Sequence, residues 1–379
     1  MVVLVEMGEK MAEQFLPIYL LAVGGSAISI GLLGGLDNLL SALYSFPGGY
    51  LSDRIGYKRA LLFFNLLAVA GYAIVLLISS WQAALVGAIL FISWSAISLP
   101  AAVGLVSEVL PPTKHTMGIS LHSFVRRVPM ALGPVLGGIL ISAYGEYQGV
   151  RFSFVAAIIL CLVSLILQQV MLEDRKTAPS MIEGNPLRQF RLMPAHLRSL
   201  LVSDILIRFC EQIPYAFVVV WAIRNVGITA LQFGVLRGIE MVTAMLIYIP
   251  VAYLADKSHK KPYVVMTFIF FTLFPLFLLV ANSFALLALA FVVRGLKEFG
   301  EPTRKALIME LSPEGRKASM FGAYYLARDL IVSLAAFGGA FLWVISPQVN
   351  FLVASVFGVF GTLYLALRVE PAPGKPSLP

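Results

Sequence analysis

The residues best suited to chemistry in this sequence are charged side chains that interrupt long apolar stretches. Glu6, Glu9, Lys10 and Glu13 follow the spacing i, i+3, i+4, i+7, which places all four on one face of a helix. If such a helix crosses a membrane, a central charge costs about 2.5 to 3.5 kcal/mol. Charges retained at that cost are expected to bind a substrate, carry a proton or pair with one another. Two later stretches carry similar sets, which are Asp204, Arg208 and Glu211, and Arg294, Lys297, Glu298, Glu301, Arg304 and Lys305.

The spacing of these charges leaves two interpretations open. Four opposite-charge pairs lie at i, i+4 and could serve only to fix helix packing. They are Glu6–Lys10, Asp204–Arg208, Arg294–Glu298 and Lys297–Glu301. We favour a functional role, because the first helix has three acids for a single lysine, and we expect Glu9 above all to take up and release a proton. The proton-coupling candidates are Glu9, Glu13, Glu211, Asp37 and Glu240, and the substrate-cavity candidates are Glu6, Lys10, Asp204, Arg208, Arg294, Lys297, Glu298 and Glu301.

The composition places these charges in a membrane protein. Hydrophobic residues make up 59% of the 379 residues and charged residues 13%, whereas a soluble domain has roughly a quarter charged residues. A helix needs about 20 apolar residues to cross a bilayer. Twelve such stretches are predicted, approximately over 2–23, 26–50, 60–80, 82–109, 116–143, 150–172, 198–223, 229–254, 262–281, 284–311, 316–345 and 348–368.

The twelve predicted spans form two halves that repeat one another. Residues 173–197 are rich in charge and turn formers and are interpreted as a cytoplasmic linker between bundles at 1–172 and 198–368, and the polar, proline-rich residues 369–379 as a disordered cytoplasmic tail. PGGYLSDR at 47–54 returns as PVAYLADK at 250–257, an offset of 203 residues. Other landmarks keep nearly this offset: Asp37 and Glu240, Glu9 and Glu211, Arg127 and Arg328, and Gly137–Gly138 and Gly338–Gly339. The predicted fold class is therefore an all-α integral membrane protein of two pseudo-symmetric six-helix bundles, a repeat typical of secondary transporters.

The charges of the loops predict the orientation in the membrane. With the N-terminus inside, sixteen Lys and Arg residues fall in cytoplasmic segments, against only Arg151 and Arg224 outside. We therefore expect a multi-pass protein of the inner (plasma) membrane with both termini in the cytoplasm. Span 7 begins near Arg198. Subtracting the repeat offset puts the equivalent position of the first half before Met1, so we also expect an upstream start that adds a short basic segment.

The first copy of the repeated loop resembles a known motif. GYLSDRIGYKR at 49–59 is similar to the loop between helices 2 and 3 of the major facilitator superfamily, Gly-x-Leu-small-Asp-Arg-x-Gly-Arg-Lys, with a departure at Tyr57. The resemblance implies that Asp53, Arg54 and Glu108 form a cytoplasmic latch that stabilises the outward-facing state. The alternative is that these charges only enforce topology. The complete predicted gate set is Gly49, Asp53, Arg54, Gly56, Lys58 and Glu108, with Asp256 and Glu310 from the weaker second copy.

Span 5 carries a second resemblance. Gly133, Pro134, Gly137 and Gly138, together with Arg127, are similar to the antiporter motif of the superfamily's drug exporters. Physically, a proline bends a membrane helix by removing a backbone hydrogen bond, and small residues four apart permit close helix packing. Uptake families contain loose versions of the motif. Arg127 and Arg328 are expected to cap the cavity or pair with acids.

Several kinds of chemistry lack support in the sequence. His115, His122, His196 and His259 do not share metal-ligand spacing, and no phosphate-binding glycine loop is found. Cys161 and Cys210 lie in apolar runs, which excludes the disulfide framework of a small secreted protein. We therefore expect no enzyme activity, no cofactor, no metal and no nucleic-acid partner, and a monomer whose partners are lipid, protons and a small-molecule substrate.

The sequence thus predicts a secondary transporter that works by alternating access and exports a small organic molecule in exchange for protons. The alternative is proton-coupled uptake of an anionic or zwitterionic metabolite, which the basic residues Arg294, Lys297, Arg304 and Lys305 favour. A polytopic enzyme or receptor is disfavoured by the repeat and the loop motif.

Overall fold

The computed structural model describes residues 2–91, 115–171, 190–256, 260–313 and 317–369, and these residues are helical almost throughout. The helices are α1 (Val2–Glu13), α2 (Leu16–Ala22), α3 (Ala27–Ile55), α4 (Tyr57–Leu77), α5 (Trp81–Phe91), α6 (His115–Met171), α7 (Ala195–Tyr215), α8 (Val218–Val220, continued by a π-helical turn at Trp221–Asn225), α9 (Ala230–Asp256), α10 (Lys261–Val280), α11 (Phe284–Leu296, continued by a 3₁₀ turn at Lys297–Gly300), α12 (Glu301–Glu310), α13 (Lys317–Ile345) and α14 (Pro347–Arg368).

Most of the predicted spans correspond to long apolar helices. In the described part of the chain, seven helices are long and apolar enough to cross a membrane, and α7 with α8 and its π-helical turn, bent by 41°, forms an eighth candidate. The apolar part of α6 has 47 residues, about 70 Å at 1.5 Å per residue, which is more than two membrane thicknesses. Gly145, with φ 81° and ψ 167°, breaks it, so α6 contains the two spans predicted at 116–143 and 150–172. Predicted span 4 begins as α5 and continues outside the described residues.

Two predicted spans are broken rather than continuous. Span 1 consists of α1 and α2, with Pro17 in the first turn of α2. Span 10 consists of α11 and α12, separated by the 3₁₀ turn. Pro302 explains the second break, because its ring would clash with the carbonyl of residue 298 in a continuous α-helix and its nitrogen donates no hydrogen bond. At position 302 the proline instead occupies the first turn of α12, where neither cost arises.

The contacts between Cα atoms divide the chain into two compact units. The first unit comprises 1–181 and 216–241, and the second comprises 182–215 and 242–379. Residues 216–241 join the first unit because α8 and the start of α9 pack on α2 and α6. For example, the rings of Phe15 and Phe233 lie 5.9 Å apart, and Leu231 donates its amide hydrogen to Ser142 Oγ at 3.1 Å. The division into bundles at 1–172 and 198–368 stays a prediction.

The outward faces of the helices are apolar. Leu77, Val170, Leu246 and Leu367 are among the most exposed side chains. Such a surface would be unfavourable in water, but it suits the hydrocarbon core of a bilayer. Inside the first unit, Tyr72, Phe91 and Phe154 form a ring cluster. Tyr19 of α2 joins this aromatic core, with its ring centre 6.3 Å from that of Phe154.

Candidate transport site and gates

Four acids of the first unit lie on α1 and α3. Lys10 Nζ donates to Glu9 Oε1 at 3.1 Å and also to Glu13, so one lysine serves two carboxylates. The Glu6 side chain is 1% exposed and pairs with Arg126 of α6. The alternative pairing of Glu6 with Lys10 is therefore wrong, because the partner comes from another helix. We call Glu6, Glu9, Glu13 and Asp37 the acidic cluster.

Asp37 is the member of this cluster that differs most from its repeat counterpart. It lies half-buried on α3, with Glu13 and Lys10 as its electrostatic neighbours. Among the described residues, the structure gives Asp37 neither an ion pair nor a hydrogen bond. Its counterpart Glu240 on α9 accepts a hydrogen bond from Arg237 Nη1 at 2.5 Å. Two acids at matching places in the repeat thus differ in whether a described arginine or lysine pairs with them.

The charges of the second unit form a continuous chain of alternating sign. Asp204 Oδ2 accepts hydrogen bonds from Arg304, from Arg328 Nη1 at 3.5 Å and from Tyr324 Oη at 3.1 Å. Glu301 links Arg304, at 2.8 Å, to Arg208, at 2.9 Å. Glu211 then links Arg208, at 2.5 Å, to Lys297, at 2.7 Å. We call these seven residues the charge chain: Arg328, Asp204, Arg304, Glu301, Arg208, Glu211 and Lys297.

The charge chain changes two sequence expectations. The i, i+4 pair Asp204–Arg208 is not formed, because Asp204 points to Arg304 and Arg208 points to Glu211 and Glu301. Asp204 and Arg304 are among the most buried charged side chains, at 0% and 1% exposed. Arg294 lies over aromatic rings of α7, α10 and α11, and Glu298 lies half-buried in the 3₁₀ turn.

The glycines of the span 5 motif bring two helices into backbone contact with α6. A Cβ added at Gly133 would lie 2.7 Å from Lys10 Cβ, and one added at Gly137 would overlap the carbonyl oxygen of Met11. A Cβ at Gly138 would lie 2.5 Å from the carbonyl oxygen of Ala230 on α9. The motif therefore packs α6 against the helix that carries Glu6, Glu9 and Glu13, in line with the close-packing role of small residues.

The cytoplasmic gate set is only partly described. The side chains of Gly49, Asp53, Arg54 and Asp256, and all of Glu108, lie outside the described residues. Gly56 has φ 87° and separates α3 from α4, a conformation that favours glycine. Lys58 donates to the carbonyl oxygen of Gln169 at 2.9 Å, and Glu310 pairs with Lys260 at the α9–α10 connection.

A further ion pair joins two of the connections that are predicted to lie outside the cell, those after spans 5 and 7. Arg224, in the π-helical turn after α8, pairs with Glu146, which follows the break at Gly145 in α6. This pair was not predicted from the sequence, and neither were Arg126 and Tyr324 as partners of acids. Arg126 stands beside Arg127, and a pattern of adjacent arginines does not show which one faces α1. Tyr324 has no sequence signal that separates it from other tyrosines in apolar helices.

The whole chain matches one protein family. The sequence profile of the Major Facilitator Superfamily matches residues 1–221 and 200–379, and the chain belongs to this superfamily of membrane transporters. It is 25% identical over 371 residues to an uncharacterised MFS-type transporter of Methanocaldococcus jannaschii, covering 95% of this chain and 91% of that protein. It is 30% identical over 142 residues to the tetracenomycin C resistance and export protein of Streptomyces glaucescens, covering 36% and 25%. Its fold is similar to the crystal structure of the nucleoside transporter NupG, with a TM-score of 0.79, 11% identity, and coverage of 97% and 98%.

These similarities confirm the predicted family and fold class. The chain is a multi-pass membrane transporter with the major facilitator fold and not an enzyme. Broken helices and charges within membrane spans are common features of secondary transporters.

Proposed function

We propose that this transporter couples the movement of a small organic molecule to protons, through the acidic cluster of α1 and α3. The observation that carries the proposal is the contrast between Asp37, to which no described residue offers an ion pair, and its counterpart Glu240, which is bonded to Arg237. A carboxylate held in a membrane protein without a cation is costly, and a bound proton removes that cost. Glu240 has no such need, because Arg237 neutralises it.

Glu9 belongs to the same proposal for a related reason. Its side chain is 1% exposed, and Lys10, which donates to it, also donates to Glu13. Its repeat counterpart Glu211 instead accepts from two cations, Arg208 and Lys297. Glu9 thus shares Lys10 with a second acid, whereas Glu211 accepts from two cations. The proton carriers are therefore assigned to Glu9 and Asp37, with Glu211 and Glu240 as structural partners.

Alternating access connects these groups to transport. Protons reach Asp37 and Glu9 from one side of the membrane and leave on the other, so the two conformations differ in the charge that α1 and α3 carry. The Gly133 and Gly137 contacts fix α1 on α6, so a change of charge on α1 acts on both helices. The preferred direction is export in exchange for protons. It is supported by the span 5 motif and by the tetracenomycin export protein among the relatives.

Uptake of an anionic or zwitterionic metabolite is the second candidate. It is favoured by the basic residues of span 10, Arg294, Lys297, Arg304 and Lys305, which suit an anionic group better than an apolar molecule. The direction of transport is independent of the assignment of the proton carriers.

Neutralising the proton carriers should uncouple transport from the pH gradient. In proteoliposomes, Asp37→Asn and Glu9→Gln are expected to reduce ΔpH-driven substrate movement by on the order of tenfold or more. Equilibrium counterflow, which needs no net proton transfer, should remain. The substrate is one found by thermal-shift screening of dyes, antibiotics, amino acids, sugars and organic acids, because binding raises apparent stability.

The matched comparison for this experiment is Glu240→Gln, which removes the equivalent acid of the other half. It should retain ΔpH-driven transport. Loss of both ΔpH-driven transport and counterflow in Asp37→Asn would assign that residue to folding or substrate binding. Retention of full ΔpH-driven transport in both first-half variants would reject the acidic cluster as the coupling site.

The proposed orientation places both termini and the linker in the cytoplasm of an inner-membrane protein. Single cysteines introduced at Ser180 and Arg224 are expected to react with an impermeant maleimide from opposite sides of the membrane. The natural thiols of Cys161 and Cys210 are buried, so the unsubstituted protein serves as the unlabelled control. Labelling of both introduced cysteines from the same side would overturn the topology.

A further inference from the structure

Residues 190–194, which lead into α7, are held against one end of the second unit by a buried side chain. Met193 belongs to a hydrophobic cluster that also contains Leu197, in the first turn of α7, and Val369, directly after α14. Its amide hydrogen is donated to the carbonyl oxygen of Phe190 at 3.2 Å. The segment therefore has a defined position, close to where α7 begins and α14 ends.

The other side chains of this segment combine exposed apolar groups with exposed arginines. Phe190 and Leu192 are 42% and 45% exposed. Arg191 lies between them and is exposed, as is Arg198 in the first turn of α7. Arg198 Nη2 donates to the main-chain carbonyl oxygen of Arg191 at 3.0 Å, so the two residues are neighbours. Exposed phenylalanine and leucine beside arginine are typical of segments that lie at the boundary between membrane and water.

Two further cations lie at the same end of the second unit. Lys261, in the first turn of α10, donates to the carbonyl oxygen of Ala366 at 2.8 Å, which places the start of α10 beside the end of α14. Arg368 is the last residue of α14 and is exposed. Glu310 is already paired with Lys260, and no acid within the described ranges pairs with the four cations. We call these four residues the basic patch: Arg191, Arg198, Lys261 and Arg368.

The outward face of α14 leads directly to the basic patch. Exposed apolar residues follow one another along this helix at spacings of three or four: Leu352, Val356, Phe360, Leu363 and Leu367. This spacing places them on one side of the helix, where they suit the acyl chains of lipids. Arg368 follows immediately after the last of them. A basic side chain at such a helix end reaches the level of the lipid headgroups.

We propose that the basic patch binds an anionic phospholipid of the cytoplasmic leaflet, with the phosphate at Arg191 and Arg198 and the acyl chains against Phe190 and Leu192. The choice of leaflet rests on the proposed orientation, whereas binding itself does not. A guanidinium matches phosphate oxygens with two parallel hydrogen bonds, and anionic lipids attract Lys and Arg near the membrane surface. The exposed apolar side chains favour a lipid over a soluble phosphate, because only the lipid covers them.

Titration of short-chain lipids into the purified full-length protein, in an uncharged detergent, tests this assignment. Dioctanoyl phosphatidylglycerol is expected to bind, and zwitterionic dioctanoyl phosphatidylcholine should bind more weakly by on the order of tenfold. Glycerol phosphate keeps the negative charge but has no acyl chains, so it should also bind more weakly than phosphatidylglycerol. Added NaCl should weaken phosphatidylglycerol binding, since salt screens exposed charges.

Arg191→Gln and Arg198→Gln should each weaken phosphatidylglycerol binding by about fivefold, which corresponds to about 1 kcal/mol for each cation near an anionic surface. Lysine at both positions should retain most of the affinity. Arg224→Gln is the matched control, because Arg224 is also exposed but lies in the first unit and on the opposite predicted side of the membrane. Thermal midpoints check folding, and Phe190→Ser is a second variant that should lower lipid affinity if the arginine variants do not fold.

Three results would overturn the lipid assignment: equal affinities for phosphatidylglycerol and phosphatidylcholine, equal affinities for phosphatidylglycerol and glycerol phosphate, or unchanged affinity in a folded variant with both arginines replaced by glutamine. The titration uses neither substrate nor pH gradient, so it is separate from the coupling test. Lipid binding combined with a reversed topology from cysteine labelling would reject the cytoplasmic leaflet and leave the basic patch as the lipid site.

Discussion

Arg304→Met is expected to lower the free energy of unfolding by about 3 to 5 kcal/mol, because it removes one partner from a buried ion pair. Arg304 is 1% exposed and bonds to both Asp204 and Glu301. Methionine has a similar reach but no charge. Its substitution would leave the fully buried Asp204 carboxylate with only Arg328, at 3.5 Å, and Tyr324.

The measurement is denaturant or thermal unfolding of the detergent-solubilised protein. Lys260→Met is the control, since Lys260 also pairs with a glutamate, Glu310, whose side chain is 45% exposed. An exposed pair contributes about 0 to 1 kcal/mol, so the two variants should differ clearly. Adding Asp204→Asn to Arg304→Met should recover part of the lost stability. Equal stability of Arg304→Met and Lys260→Met would mean that the charge chain is not a stabilising network.

Gly137→Ala is expected to destabilise the protein by about 1 to 3 kcal/mol through overpacking and to reduce transport. The added Cβ would overlap the backbone carbonyl oxygen of Met11 on α1. Backbone cannot move aside as a flexible side chain can, so α1 must shift away from α6. The shift would displace Lys10 and its two glutamates together, and both stability and coupling should therefore suffer.

The repeat supplies a control for this substitution within the same chain. Gly338 occupies the equivalent place in α13, where an added Cβ meets no atom within 4 Å. Gly338→Ala should not lower the free energy of unfolding. The higher helix propensity of alanine should raise it by up to about 1 kcal/mol. Unfolding midpoints and transport rates of the two variants test whether the close contact between α1 and α6 is needed. If Gly137→Ala behaves like Gly338→Ala, the close approach of α1 and α6 is not required.

The sequence was sufficient to predict most of the spans that the structure describes, because apolar length is a local property. Even the separation of α6 into two spans at Gly145 agrees with the prediction. The partners of the charges were harder to predict. Glu6 bonds to Arg126, 120 residues away, and Asp204 bonds to Arg304, 100 residues away. Helical spacing identifies neighbours on one helix, whereas these pairs depend on which faces of different helices meet.

The break in span 10 also could not be predicted from hydropathy. Hydropathy treats 284–311 as one apolar stretch, yet Pro302 and the polar residues before it produce a 3₁₀ turn. The aromatic contacts of Arg294 and Lys297 were also missed, although both residues were recognised as cavity candidates. Phe271 and Phe274 look like ordinary lipid-facing residues in the sequence, and only the packing of α10 reveals their contact with cations.

The 3₁₀ turn also determines whether a change in the tilt of α11 changes the tilt of α12. A continuous helix would behave as a rod, so that tilting its end at Arg294 would tilt its end at Arg304 by the same angle. Here α11 and α12 are separate helices joined by the 3₁₀ turn, and Gly300 at the end of that turn donates its amide hydrogen to Thr267 Oγ1 at 2.5 Å. Short 3₁₀ segments within helices often mark such joints. Tilting of α11 therefore need not tilt α12 by the same angle, and the ion pairs that Glu301 and Arg304 form with α7 become a separate link between α12 and the rest of the second unit.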